Sequence, residues 1–374
     1  MIDIMGLEQC CGCSACANAC PKQCITLHVD KKGFLYPQFD TGLCIQCNLC
    51  EKVCPFINKA KILFPISVEA VRSKSPEEVL LSSSGGVCHE LSHYFIDNGG
   101  VVYGAAWSDD WVVKHIRVTD KSDLEKIRCS KYLQSQMGDI FKNVKTDLTD
   151  SKNVLFIGTP CQVAGLKCYL RKNFGNLTTV DFVCHGVPSQ SVFNRTIADI
   201  ENRRRSKIVG VNFRSKRESW REFGIEFHLK NGDNLYVRHS KSFFFRGFMS
   251  NLYLRDSCYK CPFTNNRNCS DITVADLWGV ECVRPEIDDN SGLNLVMVRS
   301  LHGQKLLEHC SNRFDRFQYN YHDALKYNPA IEIPPKVHPL SGFYWRYLTK
   351  LPIRLGITLT LLGGRILRCL KIKR

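Results

Sequence analysis

Several features are missing from this 374-residue chain, and each absence excludes something. The N-terminus, Met1 to Gly6, has neither a basic region nor an apolar run, so export and a signal anchor are not expected. No Gly-x-Gly-x-x-Gly and no Walker loop occurs, which leaves a Rossmann or P-loop nucleotide site without support. Residues 341–374 contain no acidic side chain, and their uncharged run, Leu355 to Gly364, is ten residues long. A spanning helix needs about 20 apolar residues, so this run is too short to cross a bilayer.

Cysteine, by contrast, is abundant: there are 21, ten of them before residue 55. Without a signal segment they indicate a reducing, cytoplasmic setting and metal chemistry. Cys10, Cys13, Cys16 and Cys20-Pro21 form a Cys-x-x-Cys-x-x-Cys-x-x-x-Cys-Pro run, and Cys44, Cys47, Cys50 and Cys54-Pro55 repeat it. This is the bacterial ferredoxin run for two [4Fe–4S] clusters, in which the fourth cysteine of each run reaches the other cubane. The expected ligands are Cys10, Cys13, Cys16 and Cys54 for one cluster, and Cys44, Cys47, Cys50 and Cys20 for the other. Zinc sites use two spaced pairs of ligands, unlike this packing, and a disulfide scaffold belongs with secretion. Cys11 and Cys24 fall outside the pattern and read as spectators.

The net charge of +15 is concentrated in two places. Residues 1–60 balance five basic against five acidic side chains, whereas 203–221 carry eight basic and one acidic, and 341–374 carry eight basic. Local basic patches point to anionic partners. Arg203, Arg204 and Arg205 end a predicted helix, where the dipole favours cations, so a nucleic-acid surface is not the reading. Arg214, Lys216, Arg217, Trp220 and Arg221 read as a basic rim suited to an anionic substrate or an acidic redox partner. The tail Leu351–Arg374 has two readings, an amphipathic helix at the inner face of a membrane or a helix docked on the body.

Along the chain, Phe56 to Pro65 reads as a connector between a ferredoxin-type domain, 1–58, and a larger domain, 66–330. In the latter, strand-like segments at 66–72, 101–107, 111–118, 153–157 and 178–184 alternate with helical ones starting near Ser75, Val87, Pro160 and Gln190. Such alternation predicts an α/β domain with a partly parallel sheet. Residues 208–237 read as a β-meander turned at Asn231-Gly232, and Phe243–Leu254 as helix-like. The basic tail, 341–374, completes an α/β (overall α+β) organisation.

A further cysteine constellation lies in the larger domain. Cys258-x-x-Cys261 alone is compatible with a thioredoxin-like pair, half a zinc site or half a cubane. Cys161 and Cys184 each follow a predicted strand, and strand ends of an α/β sheet converge on one edge where cofactors bind. Cys161 is also placed as a low-pKa thiol at a helix N-terminus. Ser82–Gly86, running into a helix, reads either as an ordinary capping loop or as an anion cradle.

Ser84-Gly85-Gly86, Ser130-Lys131-Tyr132, Pro160-Cys161-Gln162, Cys184-His185-Gly186, Cys258-x-x-Cys261 and Asp271–Gly279 occur in that order. In these pieces the chain resembles the beta subunit of coenzyme F-420-reducing hydrogenase and formate dehydrogenase, and the related plant 7-hydroxymethyl chlorophyll a reductase. The resemblance implies a third [4Fe–4S] cluster on Cys161, Cys184, Cys258 and Cys261, with Cys269 as the nearest rival ligand. It also implies FAD, held at Ser84, Gly85, Gly86, Ser130, Lys131, Tyr132, Thr159 and Pro160, with Lys131 as counter-charge and Tyr132 as stacking partner. Cys129 stands where the family usually has glycine. The implied activity is an FAD- and [4Fe–4S]-dependent oxidoreductase that receives electrons from a ferredoxin or a hydrogenase- or dehydrogenase-like subunit. Its acceptor would be an organic anion or a deazaflavin. Two other readings remain: a non-catalytic electron-transfer subunit, and a reductase in polysaccharide or lipid-linked sugar synthesis.

Overall fold

The computed structural model describes residues 7–372. Its centre is an eight-stranded sheet assembled from β3 (Ser67–Ser73), β4 (Val101–Trp107), β5 (Val113–Val118), β6 (Val154–Ile157), β7 (Leu177–Phe182), β11 (Ile272–Asp276), β12 (Asn294–Val298) and β13 (Phe314–Gln318). Their spatial order is β13-β3-β12-β11-β7-β6-β4-β5. The middle of the sheet is parallel, β4 with β6, β6 with β7 and β7 with β11, and both flanks are antiparallel. The sequence shows why: β6 reads Val-Leu-Phe-Ile and is buried throughout, as a strand covered on both faces must be. Because β4, β6, β7 and β11 run the same way, the loops after them open on one edge.

Two smaller sheets flank this one. β1 (Ile25–Val29) and β2 (Leu35–Phe39) form a hairpin within the ferredoxin-type segment. β8 (Ile208–Ser215), β9 (Gly224–Leu229) and β10 (Asn234–Arg238) form the expected meander, in the order β10-β9-β8. The meander packs with helices Gln190–Arg204 and Phe243–Met249 around Phe193, Phe213, Phe227 and Phe244. The aromatic stretch is helical only to Met249: Tyr253 Oη donates to Phe244 O and Leu252 N–H to Gly247 O, folding 250–254 back on the helix.

The ferredoxin-type segment shares a core with the sheet domain. Cys13, Ala15, Val53 and Phe56 pack with Phe141, Phe156, Val163 and Phe263 in one apolar cluster. Phe56, in the predicted connector, meets Phe263 edge to face at 5.5 Å. Such pairs contribute about 0.5–1.5 kcal/mol beyond burial.

The tail forms helices Ser341–Tyr347 and Ile353–Ile372, the second running through Gly356, Gly363 and Gly364. Ile353, Ile357 and Leu361 are buried against the meander core, and Arg354 pairs with Asp199 at 2.6 Å. The helix is therefore docked, and Ile357 and Leu361 are not free to face a membrane. Leu355, Leu359, Leu362 and Ile366 remain exposed on its other side. Among the described residues, no helix is long and apolar enough to cross a membrane.

Candidate iron–sulfur and flavin sites

The two halves of the cysteine repeat fold alike. Gly12 and Gln46, each preceding the second cysteine of its run, have φ of 68° and 54°; Ser14 and Asn48, each following it, have 67° and 56°. These left-handed residues curl the loops so that amides point inward, as where Gly12 N–H donates to Cys10 Sγ at 3.3 Å. One short helix then carries the third cysteine, Ala15–Ala19 for Cys16 and Leu49–Lys52 for Cys50.

The structure brings the eight expected ligands together in two crossed sets. Cys16 lies with Cys10 and Cys54; burial, then repulsion from those two thiolates, pushes its thiol up to about 12. Cys13 completes that set, with Cys16 and Cys10 in electrostatic reach. Cys20, Cys44, Cys47 and Cys50 line a cleft of about 420 Å³. Four thiols converging on each site are the donor set that a cubane requires.

The two supposed spectators are at these sites. Cys24 is buried, lines the 420 Å³ cleft and holds its Sγ 3.3 Å from Cys20 Sγ. Cys11 is buried in the same apolar cluster as Cys13 and lines the cleft that holds Cys161. Motif spacing could not find them, because neither thiol is part of the repeat.

At the C-terminal edge of the parallel strands, Cys161, Cys184, Cys258 and Cys261 line a second cleft, of about 620 Å³, together with Cys11. Cys161 enters from helix Pro160–Leu170, which starts where β6 ends; Pro160 takes the first-turn position that needs no N–H, and Gln162 Oε1 accepts from Thr159 N–H at 2.9 Å. Cys184 follows β7, and Cys258 sits on a 3-10 turn, its Sγ accepting from Val187 N–H at 3.4 Å. Burial, then mutual thiolate repulsion, raises Cys184, and burial lifts Cys258 and Cys261 to about 12. Raised thiols can still serve as ligands, because a metal deprotonates the thiols that bind it. Cys269 does not line this cleft; it lies beside Cys168, and its carbonyl accepts from Lys167 Nζ.

Two of the loops expected around a flavin meet, while Thr159 and Pro160 stand apart from them at the start of helix Pro160–Leu170. Ser83 Oγ accepts from Ser130 N–H at 2.8 Å, which joins loop 82–86 to loop 129–132. Gly86 caps helix Val87–Asp97 with φ 84°, a conformation that a side chain would strain. A Cβ on Gly85 would lie 2.7 Å from Val71 O, so that glycine is also required for packing on the sheet. Cys129 adopts φ 66° without being glycine, and its Sγ donates to Leu81 O at 3.1 Å. The departure from the family glycine therefore keeps the glycine-like backbone.

Two half-buried ammonium groups face these loops without an ion-pair partner among the described residues. Lys131 Nζ donates to Arg128 O and Cys129 O, and Lys216 Nζ to Val79 O, Ser84 O and Ser291 O. Burial lowers both to about 8, with Arg214 contributing at Lys216. Unneutralised cations beside a glycine loop are chemically suited to an anionic group. Tyr132 Oη accepts from Arg214 at 3.2 Å, and its ring lies among Phe213, Phe245 and Phe248. Loops 82–86 and 129–132 do not line the cysteine cleft, whereas Pro160 does.

Of the basic rim expected at 214–221, Arg217 is exposed and Lys216 half-buried, but Arg214, Trp220 and Arg221 are engaged elsewhere. Arg214 is buried and forms a two-pronged pair with Asp276 at 2.9 and 3.0 Å, and Trp220 is buried, its Nε1–H donating to the same carboxylate. Arg221 pairs with Glu281 and Asp288. The acids that neutralise these cations lie some 60 residues away in sequence, out of reach of a local charge count.

No curated protein matches the chain. Among solved structures, a chain of the F420-reducing [NiFe] hydrogenase complex from Methanosarcina barkeri is 15% identical, with 81% of this chain and 92% of that one covered and a TM-score of 0.49. Residues 9–58 match the 4Fe-4S dicluster domain, and residues 151–315 match the family described as the C terminus of the coenzyme F420 hydrogenase/dehydrogenase beta subunit. The chain thus joins an N-terminal segment similar to a 4Fe-4S dicluster domain to a segment, residues 151–315, similar to the C terminus of the coenzyme F420 hydrogenase/dehydrogenase beta subunit.

Proposed function

We propose that this protein is an iron–sulfur flavoprotein oxidoreductase. Three [4Fe–4S] clusters would supply single-electron transfer and FAD a two-electron exchange with an organic or deazaflavin acceptor. The cysteine sets Cys10/Cys13/Cys16/Cys54, Cys20/Cys44/Cys47/Cys50 and Cys161/Cys184/Cys258/Cys261 would hold the clusters. Lys131 and Lys216, with the Ser84–Gly86 loop, would hold the flavin's pyrophosphate; Tyr132, Thr159 and Pro160 would flank it. The observation that carries the reading is Cys11, which is buried in one cluster with Cys13 and lines the cleft of Cys161, Cys184, Cys258 and Cys261, so that the ferredoxin-type and third cysteine sets adjoin. A partner that delivers electrons would meet the exposed Cys44–Cys50 side.

Anaerobically isolated protein should contain about 12 iron atoms, four for each cubane, together with FAD. Cys258→Ser should lower iron to about eight and leave the dicluster intact. Wild-type iron near eight would remove the third cluster. The double change Lys131→Met, Lys216→Met should release FAD at full iron content; complete flavin occupancy there would refute the assigned pyrophosphate site. Gly86→Val is a poorer probe, because the left-handed backbone at Gly86 would be strained with or without flavin.

The tail supports a secondary reading, contact with an anionic membrane surface. Its exposed stripe Leu355, Leu359, Leu362 and Ile366 lies on a segment with eight basic and no acidic residues. Leu359→Asp with Leu362→Asp should abolish salt-sensitive binding to vesicles containing phosphatidylserine while iron content stays unchanged; binding that survives would exclude this face.

A further inference from the structure

Arg255 occupies the junction between the ferredoxin-type segment and the third cysteine set. It is 1% exposed. Its Nε donates to Cys10 O at 2.7 Å, Nη1 to Gln134 Oε1 at 2.8 Å and Nη2 to Leu35 O at 2.7 Å. Its guanidinium carbon lies 4.2 Å from the Tyr36 ring centroid and 5.6 Å from that of Phe34. Every partner is neutral. The adjacent carboxylate, Asp256, is engaged by Lys32 at 2.9 Å, and among the described residues no acid pairs with Arg255. Arg214, comparably buried, is neutralised by Asp276.

A guanidinium withdrawn from water needs compensating negative charge, because neutral acceptors satisfy its hydrogen bonds but leave its charge. The groups placed to supply that charge are thiolates. Arg255 Nε holds the carbonyl of Cys10 at 2.7 Å, while its own backbone carbonyl accepts from Cys258 N–H at 2.9 Å and its N–H donates to Val187 O at 2.9 Å, so one residue ties the inner ferredoxin-type set to the third cysteine set. A cubane with its four thiolates is anionic and gains one further negative charge on reduction, so a fixed cation nearby favours the reduced form.

We propose that Arg255 is a positioning charge shared by the inner ferredoxin-type cluster and the third cluster, and that it raises the reduction potential of both. This rests on the three-cluster reading. The Cys20/Cys44/Cys47/Cys50 set lines a separate cleft that Arg255 does not line, and it serves as an internal reference.

The test is an EPR-monitored reductive titration of anaerobically isolated full-length protein, alongside iron analysis, for wild type, Arg255→Met and Arg255→Lys. In Arg255→Met the reduced-to-oxidised ratio of the two flanking clusters, poised at the wild-type midpoint, should fall about tenfold, a shift of about 59 mV for a one-electron couple. The outer cluster should not move. Arg255→Lys keeps the charge without the three-pronged geometry and should keep both potentials near wild type. Unshifted potentials in fully loaded Arg255→Met overturn the proposal, as does Arg255→Lys shifting as far as Arg255→Met. If Arg255→Met fails to retain iron, a fully loaded Arg255→Lys with wild-type potentials supports the charge role, and equal iron loss in both overturns it. If wild type holds only two clusters, the three-cluster reading fails, and the inner cluster alone still decides the role of Arg255.

Discussion

The two halves of the cysteine repeat have the same motif and the same left-handed backbone positions but opposite surroundings. In the first half Cys13 is buried and Ala15 is 0% exposed, packed against Phe141, Phe156 and Val163. In the second half Cys47 is exposed, flanked by Leu43 at 58% and Ile45 at 57% exposure. Equal ligand chemistry thus gives an inner site built into the sheet domain and an outer site open to solvent. On the proposed function the halves would do different work: the outer would meet the electron-delivering partner, and the inner adjoins the third cysteine set through Cys11.

The largest test of this asymmetry compares equivalent ligands. Cys13→Ser and Cys47→Ser should each remove about four iron atoms. Only Cys13→Ser should also destabilise the protein, by roughly 1–3 kcal/mol, because it puts a hydroxyl into an apolar core. Iron analysis and thermal unfolding of the two variants separate the outcomes, and equal melting temperatures would erase the distinction.

A smaller effect is expected at Gly12 and Gln46, which have the same place in the motif and similar φ. A Cβ on Gly12 would lie 2.5 Å from Gln134 Nε2, 3.0 Å from Leu35 O and 3.1 Å from Arg255 Nη1. Gly12→Ala should therefore cost about 1–3 kcal/mol and loosen the inner site, as overpacking does. Gln46 already carries a side chain into open surroundings, so Gln46→Gly should stay within about 0.5 kcal/mol of wild type. Chemical denaturation read at matched iron content checks the pair; equal losses would mean that the two loops are constrained alike.

Much of this organisation is legible in the sequence. Local signals set the boundaries of helix Gln190–Arg204, where Ser189 Oγ accepts from Val192 N–H, and of the strand–Thr-Pro–helix unit that delivers Cys161. The short Phe243–Met249 helix is not legible, because its aromatic pattern continues past the point where Gly247 and Tyr253 fold the chain back. Nor is the buried state of Arg214, since its partner Asp276 comes from another strand.

The cysteine spacing by itself determined which thiols share a loop, because each run folds into the same tight left-handed turns, and it set the crossed assignment that the proposed function uses. It also determined, through Gly85-Gly86 and the strand-end cysteines, where loops converge. Only the tertiary structure decided that the first half faces inward, that Cys11 joins two ligand sets, that the tail helix is docked and that Arg255 is left without a carboxylate. These depend on which surfaces pack together and which charges are withdrawn from water, and such contacts join residues as far apart as Cys10 and Arg255.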